Sequence, residues 1–375
     1  MIREGEMTDY QRYTPVLRWK QAERNALRDL DSRARERMTP LIELPESELL
    51  GIRRKRLLSP REYIARMSEQ TVETWGSHAV FFDMKLIRSD LTIDGQSPLA
   101  TLGEAILKRG GRPVPVTDPG RSHNYQQSVA DLVRKGTGAC FRLSANELSG
   151  ETPGALDALL AQIGIAREAV DLVLDREIVT PHSSFDISLF DHVPHLSHWR
   201  SVTLLGGSFP QDLSQWRPGI HTHARTDWIQ WRALVEEGKC PRAPAFGDYG
   251  TLHAIYFEPK PNCNFSASIR YACGEYWLIM RGEGVRNPGG AGYAQWPGNA
   301  RLLSERPEFA GPMFSEGDRF IYLRGISPSE TGNATQWVYA GLSHHLTLTA
   351  RQVLDVRVPE PVRAPDLGNR SLRKR

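Results

Sequence analysis

The sequence contains eight short runs of apolar and β-branched residues, and each run is followed by a stretch in which apolar residues recur at helical spacing. The runs begin 26 to 42 residues apart and cover residues 13–18, 40–44, 79–85, 113–118, 139–143, 171–175, 201–206 and 243–248. A buried strand followed by an amphipathic helix is one βα unit. Eight such units in series predict a parallel (β/α)8 barrel of the TIM type.

An open, doubly wound sheet is the alternative fold, because it also alternates strands with helices. Such sheets commonly carry a glycine-rich phosphate loop after a strand. No G-x-G-x-x-G or G-x-x-x-x-G-K-[ST] pattern follows any of the predicted strands. The barrel is therefore the preferred prediction.

The length of the chain leaves room for more than a barrel. A barrel needs roughly 250 residues, so we assign residues 1–250 to it out of 375. Residues 251–358 are predicted to form an extension packed on the barrel. It contains a β-hairpin (268–273 and 276–281), a glycine-rich loop (282–298) and a helix (333–353). Residues 359–375 form a basic, proline-rich tail that we predict to be disordered.

Charge and composition exclude several classes of protein. The net charge is +3, but the end of the chain from Arg357 onward has six basic and two acidic residues, so the body is close to neutral. A dedicated nucleic-acid-binding domain usually has a basic face, so the near-neutral body argues against a protein of that class. No apolar run is long enough for a membrane helix. The four cysteines form no C-x-x-C pair, which predicts reduced thiols in a cytoplasmic protein.

Charged residues gather at the carboxyl ends of the predicted strands. In a TIM barrel those ends form the face that carries the active site. In chain order the residues are Arg18, Glu43, Asp83 with Lys85, Asp118, Arg142, Asp175, and Asp248 with Tyr249. Five carboxylates and three cations are costly to bury unless they are paired, bind a metal or face water. The pattern predicts a polar functional pocket; the alternative is a ring of salt bridges that only closes the mouth.

The residue types at this mouth suggest a chemistry. Crowded carboxylates supply a general acid or base, which makes Asp83, Asp175 and Asp248 the catalytic candidates, with His123 and His345 as proton donors. The same carboxylates suit Mg²⁺ as a cofactor. An anionic, phosphate-containing substrate would be met by the cations, together with Ser208 after a Gly-Gly loop. The predicted substrate-binding residues are Arg18, Glu43, Lys85, Asp118, Arg142, Ser208 and Tyr249.

Two adjacent histidines, His344 and His345, lie within the predicted C-terminal helix. Neighbouring helical residues point about 100° apart, so the pair does not chelate one ion as an i, i+4 pair does. One of them can enter a pocket while the other faces solvent or a carboxylate. The alternative is one core histidine and one solvated histidine.

Two segments resemble the beta protein family of bacteria and phages. The first is YTPVLRWKQAERNAL (residues 13–27) with TPLIEL after it, and the second is TQWVYAGLSHHLTLTAR (residues 335–351). The resemblance implies a unit of about this length that is associated with mobile elements and phage–host conflict, without a settled reaction. The residues that carry the family pattern are Arg18, Lys20, Glu23, Glu43, His344 and His345.

Two functional hypotheses follow. The first is a hydrolase acting on a phosphate-containing substrate, a nucleotide or a nucleic acid, at the charged barrel mouth. The second is a non-catalytic recognition protein of phage defence or counter-defence that binds a protein or nucleic-acid partner. Carboxylates converging in an open pocket would favour the hydrolase, and a mouth closed by Arg–Asp pairs would favour recognition.

Overall fold

A closed barrel of eight parallel strands forms the centre of the computed structural model, which describes residues 8–50, 58–183, 187–258 and 263–358. The predicted (β/α)8 barrel is confirmed, and each predicted run overlaps one strand. The strand β8 (Gly219–Ala224) lies outside the barrel. The barrel strands, in order around it, are β1 (Tyr13–Leu17), β2 (Leu41–Glu43), β3 (Ala79–Asp83), β4 (Arg112–Thr117), β5 (Ala139–Ser144), β6 (Val170–Ile178), β7 (Ser201–Gly207) and β9 (Ala245–Asp248).

Helices cover the outside of the barrel. Serine side chains at residues 59, 97 and 122 accept hydrogen bonds from backbone N–H groups in the first turns of the helices that follow them, and so fix where those helices begin. Between β6 and β7 the described residues form only short 3₁₀ turns. The helices up to β9 are α1 (Gln21–Arg28), α2 (Ser32–Glu36), α3 (Glu46–Leu49), α4 (Pro60–Trp75), α5 (Pro98–Leu107), α6 (His123–Val133), α7 (Thr152–Ile163) and α8 (Thr226–Glu236).

Side chains alternate along each strand between the barrel interior and the layer beneath the helices, because successive strand residues point to opposite faces. The interior holds apolar side chains such as Val16, Leu41, Phe81, Val173 and Leu205. The layer beneath the helices is a larger apolar core, to which Ile42, Phe82, Leu174 and Phe246 contribute. At the carboxyl ends of the strands, the same inward-facing positions are occupied by the charged residues of the mouth.

A second, antiparallel sheet is built from β10 (Ile269–Cys273), β11 (Tyr276–Arg281) and β8, in the order β10-β11-β8. The predicted hairpin is therefore present. The strand β8 was missed, since its flanking Gly and Pro residues made the segment look like a loop. It pairs along the full length of β11, but most of its residues are exposed, so no apolar alternation marks it in the sequence.

The last three helices are α9 (Gln295–Ser304), α10 (Glu316–Ile326) and α11 (Ala334–Asp355). The predicted loop 282–298 thus ends at α9, and the predicted helix 333–353 is α11. This helix belongs to two cores. Its residues Leu342 and Leu346 pack in the core beneath the barrel helices, whereas Trp337 and Ala340 pack with the second sheet.

Several sequence predictions concern the chain as a whole. No helix in the described ranges is long and apolar enough to cross a membrane. All four cysteines are free, and Cys140 is buried inside the barrel. The domain boundary at residue 250 stays a prediction, and so does disorder of the tail, because residues 359–375 lie outside the described part of the chain.

Candidate active site at the barrel mouth

Arg142 lies at the centre of the mouth, buried near the end of β5. Its Nη1 donates to Glu43 Oε1 at 2.5 Å and to Asp83 Oδ2 at 2.8 Å. Its Nε and Nη2 donate to Asp175 Oδ2 at 3.0 and 2.7 Å, and Nη2 also donates to the Tyr249 hydroxyl at 2.9 Å. We call these five residues the Arg142 network.

The Arg142 network satisfies its own charges. A guanidinium has five N–H donors, and the five bonds of Arg142 go to side chains of the network. Burial opposes charge on both partners, but the carboxylates raise the Arg142 pKa well above its usual value. Burial likewise opposes ionisation of Asp83, yet Arg142 and Arg121 outweigh it and lower the Asp83 pKa. Arg142, predicted to hold substrate, therefore positions carboxylates and has no free donor.

Arg18 extends the network toward β1. It forms an ion pair with Glu43 of the neighbouring strand, and its Nη2 donates to the Ala254 carbonyl at 2.9 Å. Burial lowers the Arg18 pKa to about 10. Behind it, Glu23 accepts hydrogen bonds from the Arg18 and Lys20 amides. The Arg18 side chain is 3% exposed, so it supports the mouth from within and does not present a free cation.

An open cavity of about 640 Å³ lies beside the Arg142 network, over the ends of β3 to β6. Lys85 is its loosely held cation, since Nζ lies 3.5 Å from Glu177 Oε1 and 3.8 Å from Glu43 Oε1. Burial and the nearby Arg142 lower the Lys85 pKa. We call this space the mouth cavity; its other polar lining residues are Asp83, Asp118, Arg121, Arg142, Ser144, Glu147, Ser149, Glu151, Thr152 and Asp175.

Several residues of the mouth cavity were not predicted from the sequence, and two of them, Arg121 and Glu177, form ion pairs with predicted residues. Arg121 donates from Nη2 to Asp83 Oδ1 at 2.8 Å and from Nε to Asp118 Oδ2 at 2.6 Å. The sequence feature that could have identified Arg121 is its position in the loop directly after β4, three residues beyond Asp118. Glu177 lies within a register irregularity of β6 and has a left-handed backbone, with φ of 52°. Such strain in a non-glycine residue is common at functional sites.

Asp248 does not face the mouth, in contrast to the prediction. It continues the outward series of β9 with Phe246, and its carboxylate contacts the Tyr13 hydroxyl at 2.6 Å and His345 Nε2 at 2.7 Å. His345 is fully buried, and burial lowers its pKa despite the nearby carboxylate. The pair joins α11 to the barrel wall. The next residue, Tyr249, points inward and completes the network instead.

The remaining candidates also lie apart from the mouth cavity. Ser208 points outward after β7, and its hydroxyl donates to Asp227 Oδ1 at 2.6 Å. His123 is exposed in the first turn of α6 and does not line the cavity. His344 is buried between Asp318, 2.9 Å from its Nδ1, and the Ala272 carbonyl, 2.8 Å from its Nε2. Both adjacent histidines are therefore core residues with carboxylate partners.

The carboxylates at the barrel mouth do not form a metal site. Within the described ranges, no group of three His, Cys, Asp or Glu side chains is arranged to hold a metal ion. The reason is visible in the Arg142 network, where Glu43, Asp83 and Asp175 converge on a guanidinium. That group occupies the position that a divalent cation would need. The residues present thus do not fit the Mg²⁺ site suggested by the sequence.

The family model described as "Beta protein" matches residues 13–351, which is most of the chain. No curated protein matches. Among the solved structures that match is "Crystal Structure of SacUVDE", with 11% identity and a TM-score of 0.29 over 63% of this chain and 92% of that one. Similarity at this level says nothing about activity.

Proposed function

The chain belongs to the Beta protein family, and we propose that it is a hydrolase acting on a phosphate-containing substrate in the mouth cavity. One observation carries the proposal. Beside a buried network whose charges are satisfied, Lys85 and Glu177 form a loose pair, 3.5 Å apart, that faces an open cavity. A titratable pair next to a rigid charged scaffold is typical of acid–base sites.

Each group of the cavity has a place in the reaction. Lys85 and Arg121 both adjoin Asp83, through the Lys85 amide and the Arg121 guanidinium, and supply positive charge for the phosphate. Glu177 takes a proton from water, and the oxygen of that water attacks phosphorus. The bond from phosphorus to the leaving oxygen breaks, and that oxygen takes a proton from Lys85, whose lowered pKa makes it a better acid.

The charges of the cavity wall limit the range of substrates that the cavity can bind. Six acidic side chains and three basic ones line it, and one of the basic residues, Arg142, is fully used within its network. A bare phosphate is therefore a poor ligand. A nucleotide fits better, because its base amino groups and ribose hydroxyls donate hydrogen bonds. These donors would face Glu147 and Glu151, with the phosphate near Lys85 and Arg121.

Phosphate release from a panel of nucleotides and short oligonucleotides tests the proposal. We expect the wild type to turn over at least one of them. Glu177→Gln should lower kcat by about 10²–10⁴-fold, the usual contribution of a general base. Lys85→Met should raise KM as well as lower kcat. In the wild type, kcat/KM should fall as pH rises through the lowered Lys85 pKa, because the neutral amine neither holds phosphate nor donates a proton.

A matched control is Lys135→Met, which removes a surface lysine paired with Glu104 and should leave turnover unchanged. Absence of turnover on every substrate would overturn the hydrolase proposal. So would full activity in both Glu177→Gln and Lys85→Met, provided that the circular dichroism of each variant matches that of the wild type.

The second candidate is a recognition protein of phage defence or counter-defence in the cytoplasm. The observation that favours it is the Arg142 network, since a mouth closed by Arg–carboxylate pairs is a rigid surface as well as a scaffold. Binding without turnover distinguishes the two. If calorimetry detects a nucleotide or oligonucleotide that binds the wild type, loses affinity in Lys85→Met and is never hydrolysed, recognition is the better account.

A further inference from the structure

Arg270, on β10, is a partly buried cation without a carboxylate partner in the described part of the chain. Its Nη1 donates to the Thr251 carbonyl at 2.6 Å, and its guanidinium lies 4.7 Å from the centre of the Phe209 ring. Burial lowers the Arg270 pKa to about 10, and no neighbouring charge offsets this effect. Isolated buried cations are costly, and they usually have anionic partners.

The Arg270 side chain lines a cavity of about 160 Å³ between the second sheet, the start of α11 and the loops after β7 and β9. Its walls are mainly apolar. Trp296 and Trp337 stack with their ring centres 5.7 Å apart, and their indole N–H groups donate to the backbone carbonyls of Ser268 and Thr331. The other lining residues are Leu213, Thr251, Phe265, Ser266, Ser268, Ala334, Val338 and Gly341.

We propose that this cavity, which we call the Arg270 pocket, binds a small aromatic carboxylate. Its volume is close to the about 150 Å³ of a protein cavity known to hold benzene. A single guanidinium matches one carboxylate in charge and in bidentate geometry. The hydroxyls of Ser266 and Ser268 bond to each other at 2.8 Å, so few further donors remain for a phosphate dianion.

The Arg270 pocket is independent of the mouth cavity. The two cavities share no lining residue, and the Arg270 pocket lies against α11, which the mouth cavity does not touch. The proposal therefore does not depend on hydrolysis at the mouth. It adds a second ligand class, an apolar ring with one negative charge, to the polar phosphate-containing substrate proposed above.

Calorimetric titration of the full chain with three probes tests this site. Benzoate has both the ring and the charge, benzamide has the ring alone, and acetate has the charge alone. We expect saturable binding of benzoate, with at least tenfold weaker binding of the other two. Equal binding of benzamide, or no saturable benzoate binding at millimolar concentrations, would overturn the proposal.

Two variants locate the site. Arg270→Gln removes the charge and should weaken benzoate binding at least tenfold, whereas Arg286→Gln, an exposed arginine of the same extension, should not. Because loss of the Thr251 bond could impair folding of Arg270→Gln, Val338→Trp provides a second test: it fills the pocket from an exposed helix position and leaves Arg270 intact. Undiminished benzoate binding in a folded Val338→Trp protein would contradict the assignment.

Discussion

At the scale of single residues, the mouth is organised by one guanidinium. Arg142 holds Glu43, Asp83 and Asp175 in fixed positions, and these carboxylates in turn bind the backbone around the cavity. Asp83 accepts from the Lys85 amide and Asp175 from the Glu177 amide, each at 2.8 Å. The two residues proposed to react are therefore both anchored through carboxylates that Arg142 positions.

The first prediction concerns the stability that this arrangement provides. Arg142→Met leaves three buried carboxylates without their shared cation, and breaking a buried pair in this way costs about 3–5 kcal/mol. We expect a loss of that size in the free energy of unfolding, measured by urea denaturation. Arg134→Met, which removes an exposed ion pair with Asp131, should change stability by less than about 1 kcal/mol. Equal effects of the two changes would contradict a central role for Arg142.

At the scale of secondary structure elements, α11 joins the two cores, and glycines allow its neighbours to approach. A Cβ atom at Gly341 would lie 2.5 Å from the Arg270 carbonyl oxygen, so this residue lets α11 pack on β10. Gly317 does the same for α10, because a Cβ there would overlap the Ala340 carbonyl oxygen. His344 and His345 then connect α11 to Asp318 of α10 and to Asp248 of the barrel.

The second prediction uses these contacts. Gly317→Ala should destabilise the protein by about 1–3 kcal/mol, because the added methyl group forces two helices apart in a packed core. The same substitution at Gly298, exposed in α9 with nothing within 4 Å of the added carbon, should stabilise it by about 0.5–1 kcal/mol through helix propensity. Thermal unfolding of the two variants checks the opposite signs, and a shared sign would be evidence against the close packing.

At the scale of the whole molecule, two strands of the second sheet, β10 and β11, lie in the chain between the last barrel strand and α11, whereas β8 comes before that strand. α11 packs on α1 and β1, where the eighth helix of a barrel would lie. Residues 249–333 therefore separate β9 from that helix along the chain. The barrel and the extension depend on each other, since α11 contributes apolar residues to both cores.

The third prediction follows from this insertion. A chain shortened to residues 1–250 lacks α11, so the outer surface of β1, including Tyr13 and Leu17, loses its cover. We expect this fragment not to unfold cooperatively, unlike a chain that ends at Val358. Guanidinium denaturation followed by tryptophan fluorescence is the measurement. A fragment that unfolds in one sharp transition would show that residues 1–250 form an independent domain.

The sequence by itself determined the barrel, because each of the eight buried strands requires a run of apolar residues. It also determined which charged residues follow the inward-facing positions, such as Glu43, Asp83 and Asp175. Only the tertiary structure decided their partners. Arg142 meets its three carboxylates across the barrel interior, and its contact with Glu43 spans 99 residues of sequence, a distance that no local pattern encodes.

The direction in which a side chain points at the end of a strand depends on both the sequence and the tertiary structure. Asp248 and Tyr249 are adjacent in sequence, and the alternation of β9 sends the first to His345 and the second into the mouth. The sequence contains this alternation, but the strand AFGD is too short for the alternation of inward and outward residues to be recognised. The pairing of β8 with β11 and the packing of α11 on β1 join segments far apart in sequence, so no local pattern encodes them.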